Sequence, residues 1–230
     1  MKPLIRRAAE RGHFKNEWLD TRYAFSFSDY YDEAWMGFRT LRVINEDIVK
    51  PGKGFDLHGH RDMEILTYVM QGSLRHVDTM GNTETLNAGE FQLMTAGTGV
   101  QHMELNASQT EDCHLYQIWI LPDQRNLEPG YAQKSFADRL EKEGKVLIVS
   151  PDARDGSLKI HQDAEVRLYR LEAGETVKIE VSEGKGCWMQ IVSGDLHIED
   201  QKLSASDGAG FMRSLDIEAM ASAEALVFIL

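Results

Sequence analysis

Cysteine, positive charge and long apolar runs are all scarce in this chain of 230 residues. The two cysteines, Cys113 and Cys187, lie in different halves without a Cys-x-x-Cys spacing, which argues against a disulfide framework and a thiolate metal site. A formal net charge of -12 would repel phosphate backbones and anionic lipid headgroups. No segment approaches the ~18 apolar residues of a membrane span, and polar residues follow the basic first residues where a secretory signal needs an apolar run. These absences predict a cytoplasmic protein that binds neither nucleic acid nor membranes directly.

Helical periodicity is also scarce, and short runs of β-branched and aromatic residues separated by Gly, Asn and Asp are frequent instead. This pattern predicts an all-β fold of antiparallel sheets in a sandwich or barrel. The predicted strands cover residues 38–44, 65–70, 74–78, 83–86, 91–94, 114–121, 146–149, 166–171, 177–181, 188–192, 196–199 and 226–229. Residues 127–144 interrupt the pattern and are interpreted as a connector with room for a short helix.

The two halves of the sequence resemble each other. Residues 68–78 recur as residues 190–200, with Gly72 and Gly194 at the same position of the repeat. A glycine turn and a further strand follow in both copies. A repeat of this length predicts a duplicated barrel unit, and we divide the chain into domains 1–130 and 131–230.

Two pairs of donor side chains have the alternate spacing that an extended strand directs to one face. The first pair is His58 and His60, and the second is His102 and Glu104. If their strands oppose each other across a barrel interior, all four converge on one point. Burying three histidines and a carboxylate there without a metal would be costly, and this nitrogen and oxygen set suits divalent iron, nickel, manganese, cobalt or zinc.

The remaining strand histidines have no partner at ligand spacing, and we predict that each is a satisfied or surface histidine. They are His76, His114, His161 and His197. Aromatic residues are frequent near the start of the chain, where they either wall a substrate pocket or pack in the core. They are Trp18, Phe25, Phe27, Tyr30, Tyr31 and Phe38.

The spacing of glycines, histidines and glutamate resembles two cupin motifs. The first motif is carried by Gly52, His58, His60, Glu64 and Gly72, and the second by Gly89, Gly97, His102 and Asn106. The second motif departs from the usual cupin pattern in two ways: Thr95 stands where cupins commonly have proline, and the segment before His102 is longer. In both departures the sequence resembles the pirin subfamily. Further segments across almost the whole chain resemble it too, among them Gly12-His-Phe, Met36-Gly-Phe38 and Ser150-Pro-Asp-Ala-Arg154. The resemblance implies a bicupin of two stacked barrels (double-stranded β-helices), with the metal in the N-terminal barrel and none in a degenerate C-terminal barrel.

The pirin resemblance also implies a ligand set. It assigns one divalent metal ion to His58, His60, His102 and Glu104, with iron(II) first and zinc, nickel, manganese, cobalt or copper as alternatives. Glu64 is then expected near the metal without coordinating it, as an acceptor for an imidazole N–H. Aligning the repeats by their glycines gives the second copy no metal-binding set, because the corresponding residues are Glu180, Ser182, Ala221 and Ala223.

The implied activity is that of a dioxygenase that opens the central ring of a flavonol such as quercetin and releases carbon monoxide. Its partners would be a small aromatic substrate and dioxygen, and Glu104 would act as the catalytic base. Two alternatives stay open: a metal-dependent regulatory pirin that binds a protein partner without turnover, and an isomerase or hydrolase acting on another small oxygenated compound.

Overall fold

A computed structural model describes residues 2–230, most of which lie in β-strands. In chain order the first strands are β1 (Leu4–Arg6), β2 (Gly12–Lys15), β3 (Leu19–Tyr23), β4 (Leu41–Val49), β5 (Gly54–His60), β6 (Glu64–Gln71), β7 (Ser73–Asp78), β8 (Thr83–Asn87), β9 (Glu90–Thr95), β10 (Val100–Asn106), β11 (Cys113–Ile120) and β12 (Gly130–Ser135). The later strands are β13 (Lys145–Ser150), β14 (Leu158–Lys159), β15 (Glu165–Leu171), β16 (Thr176–Ile179), β17 (Cys187–Ser193), β18 (Asp195–Ile198), β19 (Gln201–Ser204), β20 (Gly208–Phe211), β21 (Leu215–Ala219) and β22 (Ala223–Ile229). The all-β prediction is confirmed.

Helices are few and short. One α-helix, α1, spans Ala137–Glu143, and short 3-10 helices span Ala8–Glu10, Glu33–Trp35 and Arg154–Gly156. Within residues 2–230, no helix has the length and apolar character needed to cross a membrane. The predicted connector, residues 127–144, holds the expected short helix, and it also holds β12, which the sequence pattern did not reveal.

The chain divides into two compact units. The first barrel comprises Gly12–Ala137 and Leu158–Gln162, and the second comprises the segment ending at Arg11 together with Asp138–Ser157 and Asp163–Leu230. This division differs from a single cut after residue 130, because β1 pairs with β20 of the second barrel. The domain boundary at 130/131 stays a prediction.

Each barrel is built from a large and a small sheet with the same strand order. In the first barrel the orders are β12-β9-β6-β11-β4-β3-β2 and β5-β10-β7-β8. The second barrel repeats them as β1-β20-β17-β22-β15-β13 and β16-β21-β18-β19. The match of β9-β6-β11-β4 with β20-β17-β22-β15 confirms the internal duplication predicted from the sequence repeat.

The interior of the first barrel has a polar layer between two apolar ones. On β6, Thr67 lies between Ile65 of one apolar cluster and Val69 of another. On β11, Gln117 lies between Leu115 and Trp119, which pack in these same two clusters. Further buried polar residues of this barrel are Asn45, Asp47, His76, His102 and Glu104. The polar layer is unusual for a protein core and marks this barrel as the one that holds a site.

The second barrel has a continuous apolar interior at the equivalent positions. Its cluster includes residues of β16, β17, β18, β21 and β22. Since Ala219 pairs with Leu196 as Asn106 pairs with Leu74, residues of β21 can be matched to those of β10. The positions equivalent to His102, Glu104, His58 and His60 are then held by Leu215, Ile217, Ile179 and Val181, all of which pack in or against the apolar cluster.

The register of the earlier repeat alignment is therefore wrong. It matched Glu180, Ser182, Ala221 and Ala223 to the ligand positions, but Ala223 begins β22 and Ala221 lies in the turn before it. The alignment slipped because the chain between β18 and β21 is shorter than its counterpart in the first barrel. The absence of a metal from the second barrel stays a prediction, to which the apolar residues at these positions add support.

Candidate metal centre

Strands β5 and β10 bring the predicted residues together by direct pairing. His102 lies opposite His58, and Val100 lies opposite His60, so the histidines share the interior face. The register shifts between His102 and Glu104, which places Glu104 opposite Phe55. The close approach of the strands requires glycine at position 54, because a Cβ atom there would lie 2.0 Å from the Glu104 carbonyl oxygen.

The three histidine rings form a compact cluster. Ring centroids are 4.5 Å apart for His58 and His102, and 4.9 Å apart for His60 and either of the other two rings. The Nε2 atoms of His58 and His102 are 3.1 Å apart. The potential ligand atoms of all three residues lie within 4.8 Å of one another, as expected for donors that surround one ion.

Glu104 offers one carboxylate oxygen to this cluster. The side chain is buried, and its Oε2 accepts a hydrogen bond of 2.8 Å from Gln117 Nε2. Gln117 Oε1 in turn accepts from the Trp119 indole at 3.3 Å, which fixes the orientation of the amide because an indole N–H can only donate. Glu104 Oε1 has no hydrogen-bond partner among residues 2–230. This oxygen is therefore available to a metal ion or a substrate proton.

Hydrogen bonds determine which nitrogen of His58 is free. His58 Nδ1 lies 2.7 Å from the Asp56 carbonyl oxygen, and since a carbonyl can only accept, Nδ1 carries the hydrogen. In the neutral ring, Nε2 then has a free lone pair directed toward His102.

A buried pair, His76 and Asp78, determines which nitrogen of His102 is free. The sequence pattern did not identify this pair as part of the site. Asp78 Oδ2 accepts from His76 Nε2 at 3.0 Å, so the Nδ1 of a neutral His76 is an acceptor. His102 Nδ1 lies 3.4 Å from it and donates, which leaves the Nε2 lone pair of His102 free. The alternate spacing of His76 and Asp78 on a predicted strand was the signal that could have revealed them. His76 also belongs to a second metal-capable group, with His102 and Glu104.

Burial keeps His60 and His102 neutral and able to bind a cation. Burial, together with the neighbouring histidines, lowers the pKa of His102 to about 3 and that of His60 to about 4. Neutral imidazole is the form that binds metals. Burial raises the pKa of Asp78, but hydrogen bonds from His76 and Asn82 outweigh it and keep the pKa of this carboxyl below its usual value.

A cavity of about 210 Å³ opens beside the cluster. It is lined from the small sheet by Phe55, His58, His60 and Glu104, and from the large sheet by Leu19, Thr21, Tyr23, Asn45, Asp47, Gln117 and Trp119, with Phe27 from the following loop. A second cavity of about 490 Å³ shares Leu19, Tyr23, Phe27 and Phe55 with it and also includes Tyr30. We call them the inner and the outer cavity.

Comparison with known proteins identifies the family. The pirin family model matches residues 5–120, and the model of the quercetinase C-terminal cupin domain matches residues 147–230. The chain belongs to the pirin family. Similar proteins include a quercetin 2,3-dioxygenase from Escherichia coli (strain K12), 47% identical over 97% of this chain and 96% of that protein. Another is a putative quercetin 2,3-dioxygenase from Pasteurella multocida (strain Pm70), 46% identical over 97% of each.

Solved pirin structures share the whole fold. YhhW from Escherichia coli superposes with a TM-score of 0.96 at 47% identity, over 100% of this chain and 97% of that one. A structure of bacterial pirin YhhW from the same organism in complex with nickel(II) has a TM-score of 0.95 at 46% identity, over 100% and 99%. The predictions of the pirin family and of two cupin barrels are confirmed.

The donor set of this pirin fits a metal ion. His60 Nε2 and Glu104 Oε1 are buried polar atoms that find no partner in the described part of the chain, while the Nε2 atoms of His58 and His102 face each other with free lone pairs. Orphaned buried polar atoms of this kind are costly unless a ligand satisfies them. A metal-binding histidine and glutamate site is therefore present.

The expected role of Glu64 in this pirin is wrong. Glu64 lies on the face of β6 opposite to Ile65 and Thr67, which point into the barrel, and its carboxylate contacts Thr95 at 3.0 Å and His161 at 3.5 Å. The carboxylate does contact an imidazole, but it is the imidazole of His161 and not that of a cluster histidine. Burial raises the pKa of this carboxyl. The alternation along β6 explains why it points away from the cluster.

The remaining predictions concern a strand histidine, the early aromatic residues and the two cysteines. His114 pairs with Glu46 at 3.1 Å. Of the early aromatic residues, Phe27 and Tyr30 line the cavities, while Phe25 is fully buried and Tyr31 is 71% exposed. Both alternatives given for these aromatics are thus realised by different residues. Cys113 and Cys187 are free, buried thiols.

Proposed function

We propose that this pirin is a metal-dependent dioxygenase that opens the central ring of a flavonol such as quercetin, consuming one dioxygen and releasing carbon monoxide. The observation that carries the proposal is a cluster of three histidines at the wall of a mostly apolar cavity, together with a carboxylate that has one oxygen hydrogen-bonded and the other free. Such a cavity suits a planar aromatic ligand that presents oxygen atoms to the cluster. The names of the similar proteins, quercetin 2,3-dioxygenase, support the same activity.

In this proposal His58, His60, His102 and Glu104 hold one divalent ion in the first barrel, and the second barrel holds none. Iron(II) is our first choice, and the nickel(II) complex of a similar pirin makes nickel the main alternative. When bound, the ion would supply positive charge that favours the ionised form of a substrate hydroxyl, and a redox-active ion would also relay electrons from the substrate to dioxygen.

The protein's own residues position and deprotonate the substrate. Glu104 Oε1, the oxygen that would hold the ion, loosens from it to accept the proton of the flavonol 3-hydroxyl group, while Gln117 holds Oε2 in place. Trp119 and Phe27, in edge-on contact at 5.3 Å, border the cavity and keep water from the reacting ring. The outer cavity, which shares Leu19, Tyr23, Phe27 and Phe55 with the inner one, gives the substrate room beyond it.

The test combines metal analysis with oxygen uptake. Protein purified from its own host is analysed for metals, and the apoprotein is then loaded with each candidate ion and supplied with a panel of flavonols. We expect one ion per chain and oxygen consumption with release of carbon monoxide. Glu104→Gln should lower the turnover number at least ~100-fold through loss of the base, and metal content is measured in parallel.

Glu64→Gln is the matched control, because it neutralises a buried carboxylate that does not contact the cluster. It should retain both metal and oxygen uptake. Oxygen uptake that is absent with every flavonol and every ion would rule the proposal out, and metal-dependent binding of a protein partner without turnover would then favour the regulatory alternative.

A further inference from the structure

Three polar residues of the large sheet line the inner cavity at positions where a barrel interior is normally apolar. Thr21 on β3 lies opposite Asp47 on β4, and Asn45 follows the same interior face two residues earlier. All three are at least nine-tenths buried, with exposed fractions of 1%, 3% and 5% for Thr21, Asp47 and Asn45. We call them the polar strip.

The polar strip is not satisfied by the protein alone. Asn45 Oδ1 finds no hydrogen-bond partner in residues 2–230, and Thr21 Oγ1 has no partner at full hydrogen-bond geometry, although it interacts with the neighbouring Asp47 and Tyr23. On β4 the interior positions on either side, Val43 and Val49, are buried valines. Valine there would avoid the cost of burying an unpaired polar atom, so the strip needs another explanation.

Position relative to the cavity distinguishes the strip from other buried polar residues. Thr67 Oγ1 and the Gln92 amide also lack partners within the described chain, but neither residue lines the inner or the outer cavity. Thr21 and Asn45, in contrast, can be reached by anything that enters the inner cavity.

The chemistry of the strip selects its ligand. Asn45 Oδ1 and the carboxyl oxygens of Asp47 accept hydrogen bonds, and the Thr21 hydroxyl both accepts and donates. Two acceptors and a hydroxyl favour a ligand that brings hydroxyl hydrogens. The rest of the wall is largely apolar or aromatic, including Leu19, Tyr23 and Phe55, which suits the faces of an aromatic ring.

We propose that Thr21, Asn45 and Asp47 bind the hydroxyl groups of a phenolic ring of the substrate, and so select polyhydroxylated aromatics over their deoxy analogues. This inference rests on the proposed function, since it assigns a second recognition element to the same cavity. The histidine cluster comes from the small sheet and the strip from the large sheet, so the substrate is held by oxygen atoms at two places. The inner cavity, about 210 Å³, is smaller than the ~300–1,000 Å³ typical of ligand sites and takes one ring system, while the remainder extends into the outer cavity.

The test measures the affinity of two flavonols without turnover. Metal-loaded protein is titrated anaerobically with 3-hydroxyflavone, which has only the 3-hydroxyl group, and with quercetin, which has additional hydroxyls on both outer rings. The variants are Thr21→Val, which keeps the side-chain shape, and Asn45→Leu, and the control is Thr67→Val. Metal content and the melting temperature establish that each variant is folded.

We expect wild type to bind quercetin more tightly than 3-hydroxyflavone. Each strip variant should lose about threefold to tenfold in quercetin affinity and less than twofold in 3-hydroxyflavone affinity. Thr67→Val should change neither. Loss of a single hydrogen bond to a ligand hydroxyl produces this pattern, because the analogue without that hydroxyl never made the bond.

Several results would overturn the proposed role of the polar strip while leaving the proposed function intact. They are equal affinity of wild type for both flavonols, an unchanged preference in both folded variants, a parallel loss for both ligands, or an equal loss in Thr67→Val. A wild-type protein that binds neither flavonol would overturn both proposals. If Asn45→Leu does not fold, the near-isosteric Thr21→Val decides the outcome.

Discussion

At the scale of single residues, His76 determines which nitrogen of His102 is free to bind a metal. Its Nε2 is committed to Asp78, and its Nδ1 accepts from His102. In His76→Leu, the His102 N–H loses its acceptor, and His102 can present the wrong nitrogen to the ion. We expect metal affinity to fall about 10–100-fold, measured by competition with a chromophoric chelator.

The control for this variant is His197→Leu, on β18 of the second barrel. It should leave metal affinity unchanged. Unaltered affinity in His76→Leu would show that the ring of His102 is oriented by its packing alone.

Asp47 makes the stability of the apoprotein depend on pH. Burial raises its pKa to about 7, and the charge of Glu104 acts in the same direction. The unfolded carboxyl titrates near its ordinary value of 3.8, so the folded form holds a proton that the unfolded chain releases between about pH 4 and pH 7. The contribution of the protonated Asp47 to the free energy of unfolding is fully present below pH 4 and is lost as the pH rises through 7.

Asp47→Asn should remove that dependence. The free energy of unfolding by urea of the wild-type apoprotein, relative to the variant, should fall by up to about 4 kcal/mol between pH 4 and pH 8, at about 1.4 kcal/mol per pKa unit. A difference between the two proteins that is constant over this range would contradict the prediction. The lowered pKa values of His60 and His102 affect both proteins equally and cancel in the comparison.

Residue patterns predicted the cluster better than its surroundings. His58, His60, His102 and Glu104 stood out because histidines at alternate positions are rare and chemically specific. Thr21, Asn45 and Asp47 did not, because a polar residue in a strand ordinarily faces solvent, and only the pairing of β3 with β4 shows that these face a cavity.

At the scale of elements, the pairing of β5 with β10 holds the candidate ligands in register, and Gly54 permits it. A methyl group at position 54 would collide with the backbone of Glu104 and Leu105. Gly54→Ala should therefore lower the free energy of unfolding by about 1–3 kcal/mol and reduce metal content, measured by urea unfolding and elemental analysis.

Gly59→Ala, on the same strand, is the matched control. An added Cβ there meets only ordinary contacts, at 3.7 Å from the Val100 carbonyl oxygen and 3.8 Å from Gln101. It should have little effect on either measurement. Equal losses in both variants would indicate that any substitution in β5 is harmful, regardless of the close approach.

The sequence predicted strands with strong apolar content and missed polar or short ones. Residues 65–70, 74–78 and 91–94 correspond closely to β6, β7 and β9. Strands β1, β2, β12 and β19 are among those missed, since each has at most six residues and offers little apolar alternation. The register of the second copy could not be read from its glycines, because the chain between β18 and β21 is shorter than its counterpart in the first barrel.

At the scale of the whole molecule, the second barrel depends on a segment from the start of the chain. β1 pairs with β20, with Leu4 opposite Gly210, and Ile5 packs against the apolar cluster of this barrel. Ile5→Ser should therefore lower the melting temperature, while Leu4→Ser should not, because Leu4 is 46% exposed. Differential scanning calorimetry measures both, and neither change should reduce metal content.

β1 is synthesised long before β20, the strand with which it pairs. The strand that completes the sheet edge is made before the edge it covers, and until the two meet, β20 offers unpaired backbone groups to any extended segment nearby. Two copies that refold together at high concentration can therefore exchange their β1 strands. The backbone hydrogen bonds between β1 and β20, which normally lie within one molecule, would then join the two copies as a swapped dimer.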